Sequence, residues 1–190
     1  MPTAPEHLSI VIEGLADGLL EPDELATIHQ LCLQIWEDAP GFIAAHPDDY
    51  GWFLDLGYDL AQPDDRKALT GQLLTYVLIG ELADFMAVSD KSDELHEKIV
   101  WLFEDSPLPD FPPDLSQIER APEYAGHAKM GGEEYFRWLD GQMRQHHPEY
   151  QILVLDDGIG DEIAACPVPR EAMARIQASC RWLGIRLGPY

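Results

Sequence analysis

Tyr150-Gln151-Ile152-Leu153-Val154-Leu155-Asp156-Asp157-Gly158-Ile159-Gly160-Asp161 is followed, after Glu162, by Ile163-Ala164-Ala165-Cys166-Pro167-Val168. A β-prone apolar run, a turn of Asp and Gly, and a second apolar run read as a β-hairpin. A half-solvated strand alternates polar and apolar positions. Ile152 to Leu155 does not alternate, as expected of a strand covered on both faces. In the turn, glycine supplies positive φ and aspartate bonds nearby backbone amides.

Working outward, Met173, Ile176, Cys180 and Leu183 predict a last helix capped by Gly184, and Ile185 to Leu187 adds a short strand. Upstream, Phe136, Leu139 and Met143 mark a helix ending at His146-His147-Pro148. The N-terminal half reads as helices. Leu8, Val11, Ile12, Leu15 and Leu19 form the stripe of the first. Pro22 opens a second, whose buried face is Leu25, Ile28, Cys32 and Ile35 and whose end is Pro40-Gly41. Pro47-Asp48-Asp49 opens a third that runs to about Ala61, and Pro63-Asp64-Asp65 a fourth that runs to Gly80. Leu82 to Val88 either prolongs that helix or, as Gly80 and the compact apolar run favour, forms a short buried strand. Ser89, Asp90 and Ser92 offer caps for a helix with inner face Leu95, Ile99 and Leu102. The fold class expected is α+β: a helical N-terminal half and a small, mostly antiparallel sheet with helices packed on one face. Residues 1–190 read as one domain, with a helical part over about 5–104. A Pro/Gly-rich connection over 105–132 and a helix-hairpin-helix-strand part over 133–190 complete it.

The first 65 residues contain no Lys or Arg, yet carry 14 carboxylates. They supply −14 of the formal net charge of −23. A surface of one sign repels nucleic acid and anionic lipid and attracts cationic partners. Two readings stand, a plainly solvated acidic surface and one that docks on something basic. Cys32, Cys166 and Cys180 are widely spaced, each in an apolar pattern, and fit a reducing compartment. The N-terminus MPTAPEHL lacks the positive region of a signal peptide, and the longest apolar run, Leu73 to Ile79, is too short to span a bilayer. A cytoplasmic protein with no membrane contact is expected.

On a continuous third helix, Asp48, Asp55 and Asp59 fall within about 40° of one another, with Trp52 at their edge. A carboxylate row beside an indole suits an Arg- or Lys-rich surface, because the acids steer and pair while the indole offers buried area and cation–π contact. The alternative is a solvated acidic face with Trp52 half in the core. Asp156, Asp157 and Asp161 add carboxylates at the hairpin edge. That turn lacks the twelve-residue oxygen spacing of an EF-hand loop and the Gly-rich, Lys-bearing helix entry of a phosphate loop. Adjacent His146 and His147 point about 100° apart on a helix and do not chelate together. No Gly-x-Ser-x-Gly occurs, and no Cys-His pair stands out. No cofactor or metal is expected.

The hairpin Tyr150 to Asp161, the return strand, Val168-Pro169-Arg170, a helix and a closing short strand resemble the end of a bacterial family of unknown function with an Asp-x-Gly-x-Asp-like turn. The turn here is one residue longer than that family's, and Pro167 interrupts the return strand. The same strand–turn–strand is similar to the hairpin of the SUKH superfamily, whose members often act as immunity proteins against secreted toxins. That family's N-terminal Glu/Leu/Gly/Pro pattern is missing here, so no functional residue carries over. The function expected is an acidic protein-binding module, an immunity or antitoxin-type inhibitor that docks on a basic toxin or enzyme surface and is not itself an enzyme. The alternative is an enzyme or small-ligand-binding protein with its site near residues 156–161, walled by Tyr124, Tyr135 and Tyr150.

Overall fold

The hairpin forms as its pattern demands. β2 (Tyr150–Leu155) and β3 (Ile163–Pro169) pair antiparallel from Tyr150↔Pro169 to Leu155↔Ala164. β1 (Ala87–Ser89) pairs antiparallel with the other edge of β3, so the sheet order is β1-β3-β2. Leu187 adds a bridge to Leu155 on the outer edge of β2. β1 opposes only Ile163 to Ala165, so Pro167 stands beyond its reach and its missing N–H removes no bond from that pairing. The computed structural model describes residues 2–103, 108, 133–160 and 162–188. The 105–132 connection, apart from Leu108, and Asp161 therefore lie outside the described residues.

Side chains alternate across the sheet and divide the interior in two. Leu153, Leu155, Ala164, Cys166 and Val168 enter a large core with the N-terminal helices and the last helix. Ile152, Val154, Ile163 and Ala165 enter a second core with Leu95 and Ile99, and with Tyr135, Phe136, Leu139 and Met143. Those partners belong to α5 (Ser92–Trp101) and α6 (Glu133–His146). The α+β class with its small antiparallel sheet is what the structure shows. Its helices cover both faces rather than one, because an unbroken run Ile152 to Leu155 leaves no polar face for water.

In the N-terminal half, α1 (Ala4–Leu15) starts at a capping box, where the Glu6 carboxylate accepts from the Thr3 amide (2.6 Å) and hydroxyl (2.9 Å). Those bonds, the amide first, hold the Glu6 carboxyl below the usual range. Leu19 does not extend the stripe. Asp17 (φ 48°) and Gly18 (φ 69°) turn the chain after Leu15, and Leu19 is left 70% exposed. α2 (Pro22–Ala45) passes through Pro40 instead of ending there. Asp38 leaves helical geometry (φ −154°, ψ 77°) and its carboxylate accepts the Gly41 N–H at 3.1 Å. Asp38 thus caps a second helical segment, and Pro40 lies in its first turn, where a missing N–H costs nothing.

The third helix is also shorter than expected. α3 (Pro47–Tyr50) gives way to a 3₁₀ turn over Gly51–Leu56, and Gly57, at φ 86°, reverses the chain before Asp59. α4 (Pro63–Glu81) is buried mainly between Leu69 and Leu78, including Gln72 and Thr75. Gln72 accepts from the Tyr58 hydroxyl (2.6 Å) and donates to the Asp157 carbonyl (2.7 Å). The Thr75 hydroxyl accepts the Arg186 N–H (2.9 Å). At Gly71 a Cβ would meet the Gly184 carbonyl at 2.0 Å, so glycine lets the helix touch the backbone that follows α7 (Met173–Leu183). Lys91, not Ser89, Asp90 or Ser92, is the N-cap residue of α5; the Ser89 hydroxyl instead accepts the Lys91 N–H at 3.2 Å.

Candidate protein-binding face

The 3₁₀ turn brings aromatic rings together without aligning the acids of one helix. Phe53 is fully buried, while its neighbour Trp52 lies half-buried over it with ring centroids 4.1 Å apart. The Trp52 indole N–H donates to the Asp49 carbonyl at 3.1 Å, which fixes the ring. Tyr76, from α4, meets Trp52 edge-on at 5.6 Å and Tyr50 edge-on at 6.4 Å. Tyr50 packs in turn on Phe42 at 5.3 Å. Edge-to-face rings at these spacings hold one another in place, worth about 0.5–1.5 kcal/mol per pair beyond burial. A fixed aromatic surface results, with Tyr76 and the flanking Leu54 and Leu56 exposed.

Carboxylates rim this surface. Asp48, Asp49, Asp55 and Glu81 are exposed. Burial raises the Tyr50 hydroxyl above its usual range, and the charges of Asp49 and Glu81 push it the same way. Those two acids therefore sit close enough for their field to be felt at the ring. Asp55, Leu54 and Leu56 are all exposed on the 3₁₀ turn, which carries both an anionic and two apolar side chains to its surface.

Of the residues singled out from sequence, Trp52 is half-buried, and Asp48, Asp55 and Asp59 are exposed. The single helical face that was to carry them does not exist, because the helix stops at Tyr50 and the chain turns at Gly57. Asp59 serves the turn instead. Its carboxylate accepts the Ala61 N–H at 3.0 Å, and its own N–H donates to Asp65 at 2.8 Å. Asp156 and Asp157 likewise accept the amides of Gly158 (2.7 Å) and Ile159 (2.9 Å), which is local turn chemistry. Asp161 and Tyr124 lie outside the described residues. Tyr135 is fully buried, and the Tyr150 hydroxyl bonds Asp17 rather than facing the turn. Tyr50, Tyr76 and Glu81 were missed. The available signal was Tyr76, an aromatic residue set between the apolar positions of α4.

Burial pushes the Cys32 and Cys180 thiols up to about 12 and raises Cys166 as well, so none is a poised nucleophile. His147 is buried and packs on Phe103 with ring centroids 4.1 Å apart, whereas His146 is exposed. Among the described residues, no group of three or more His, Cys, Asp or Glu is placed to hold a metal ion, and no helix is long and apolar enough to cross a membrane. The chain matches no family model, no curated protein and no solved structure.

Proposed function

We propose that this chain is an acidic protein-binding module of the immunity or antitoxin kind, which docks on a basic toxin or enzyme surface and blocks it. The observation that carries this reading is the fixed ring cluster Tyr50–Trp52–Tyr76 with Asp48, Asp49, Asp55 and Glu81 at its rim. It lies largely in a stretch of 65 residues without a single cation. Preformed aromatic anchors supply the contact that resists dissociation, and rim acids supply attraction during approach. The likeness of the hairpin to immunity proteins agrees with that role, which demands surface complementarity and no chemistry.

The test uses the product of the neighbouring gene, purified with this chain, with binding followed in real time. Steering is expected to lift association above the unsteered ~10⁵–10⁶ M⁻¹s⁻¹ and to slow it about tenfold or more between low and high salt. Asp48→Lys with Asp55→Lys is expected to slow association, and Trp52→Ala to hasten dissociation, while both variants keep their fold. An association rate indifferent to salt and to both reversals sinks the proposal.

A further inference from the structure

At the far end of the sheet from the hairpin turn lies a half-open cavity of about 470 Å³, lined among others by Asp17, Phe85, Trp101, Phe103 and Tyr150. This volume lies within the range of ligand sites, about 300–1,000 Å³. Its lining is largely apolar. Asp17 and Asp84 are its charged side chains, and no Lys, Arg or His among the described residues lines it. Two helices also end on it, α1 through Leu15 and Ala16 and α5 through Trp101. α1 has no basic residue in its last turn, and the Lys98 ammonium of α5 is bound to the Val88 carbonyl.

Asp17 is placed there by the turn that closes α1: it adopts positive φ (48°), which Asp and Asn tolerate, and the next N–H, of Gly18, donates to the Glu13 carbonyl. The Tyr150 hydroxyl donates to its carboxylate at 2.6 Å and fixes its direction. At the rim, Trp101 is 77% and Leu19 70% exposed, large apolar surfaces for water to cover.

We propose that this cavity receives an arginine side chain, with an apolar neighbour, from a peptide segment of a partner protein. A guanidinium matches the features together. It pairs with the Asp17 carboxylate in plane and lies flat on an aromatic face. The exposed Trp101 and Leu19 cover the aliphatic flank. Asp17 shares no residue with the Trp52 face, so this site stands or falls independently of the docking role above.

The probe is the tripeptide acetyl-Leu-Arg-Leu-amide, titrated into the full chain while the indole N–H resonance of Trp101, assigned with Trp101→Phe, is followed by NMR. A saturable shift is expected, with at least tenfold weaker binding when citrulline replaces arginine. Asp17→Asn is the deciding variant. Asparagine tolerates positive φ and keeps an oxygen for Tyr150, so the melt should hold while affinity falls about tenfold. Citrulline binding as well as arginine, Asp17→Asn binding as well as the unaltered protein, or a shift absent at Trp101 overturns the proposal. Free arginine binding as tightly as the peptide also overturns it, by making the cavity a small-molecule site.

Discussion

Between residues 2 and 65, twelve of the fourteen carboxylates face water, while Asp156 and Asp157 are half-buried and bonded to amides of their own loop. Both regions look alike as sequence, acids interrupted by glycine and apolar residues. They differ in what stands beneath them. The hairpin loop is tied down from below by Gln72, which bonds the Asp157 carbonyl, and its acids fold back to complete the turn. The acids around Trp52 stand on a floor of rings already locked to one another, and among the described residues Asp48 and Asp55 accept no backbone amide. Acidity alone therefore says little about availability. The backbone donors within reach of a carboxylate decide whether it is a fastening or a contact.

The largest effect expected from breaking that comparison lies in the floor itself. Phe53→Ala removes a fully buried ring and is expected to cost about 3–5 kcal/mol. Trp52→Ala, next to it but half-exposed, is expected to cost about 1–2 kcal/mol and leave a cooperative fold. Urea melts of the two variants separate the cases. A cost at Trp52 equal to that at Phe53 makes the indole part of the core and removes the centre of the proposed face.

A smaller contrast sets the two kinds of acid side by side. Asp157→Ala leaves the Ile159 N–H without its 2.9 Å acceptor in a half-buried loop, with an expected loss of about 1–2 kcal/mol. Asp48→Ala is expected to stay within about 0.5 kcal/mol of the unaltered protein, toward stabilisation, since it relieves like-charge repulsion. Paired thermal melts measure both. Equal costs erase the distinction between fastening and contact.

The sheet was legible because its strands must be apolar on both faces, a constraint that prints an unbroken run into Ile152 to Leu155. The same run implied the second helical layer, whose helices α5 and α6 were read correctly but not stacked on the sheet. Segments where two structures share one pattern were harder. Pro40-Gly41 reads as a helix end, and with Asp38 as cap it is equally the first turn of a helix that resumes. Trp52, Phe53, Leu56 and Leu60 suit an α-helix. The 3₁₀ turn and the reversal at Gly57 keep Phe53 buried at 0% and lift Leu56 to 41% exposure. Of the candidate face, Trp52, Asp48 and Asp55 could be read from sequence. Tyr76 and Glu81 come from a distant helix, and only tertiary packing brings them in.

Asp17 tests the comparison from within the N-terminal stretch, because it is one of the acids there that is half-buried and bonded, like those of the hairpin. Its bond from Tyr150 needs the phenol proton. That bond first, then burial and the charge of Asp17, push the Tyr150 hydroxyl up to about 12. An unfolded tyrosine ionises near about 10. A folded value above the unfolded one means stability fully present below pH about 10 and lost as pH rises from there through about 12. Tyr150→Phe lacks this contribution at every pH. The variant is expected to be about 1 kcal/mol less stable than the unaltered protein at pH 8, a modest figure for a charged acceptor because the pair is partly solvated. The gap should close steadily on the alkaline side, as urea melts at pH 8, 9.5 and 11 can follow. Tyr50, whose hydroxyl is also raised, titrates in both proteins and leaves the difference untouched. A gap that stays constant to pH 11 means that Tyr150 acts through packing alone, and that Asp17 belongs with the free acids rather than with the fastened ones.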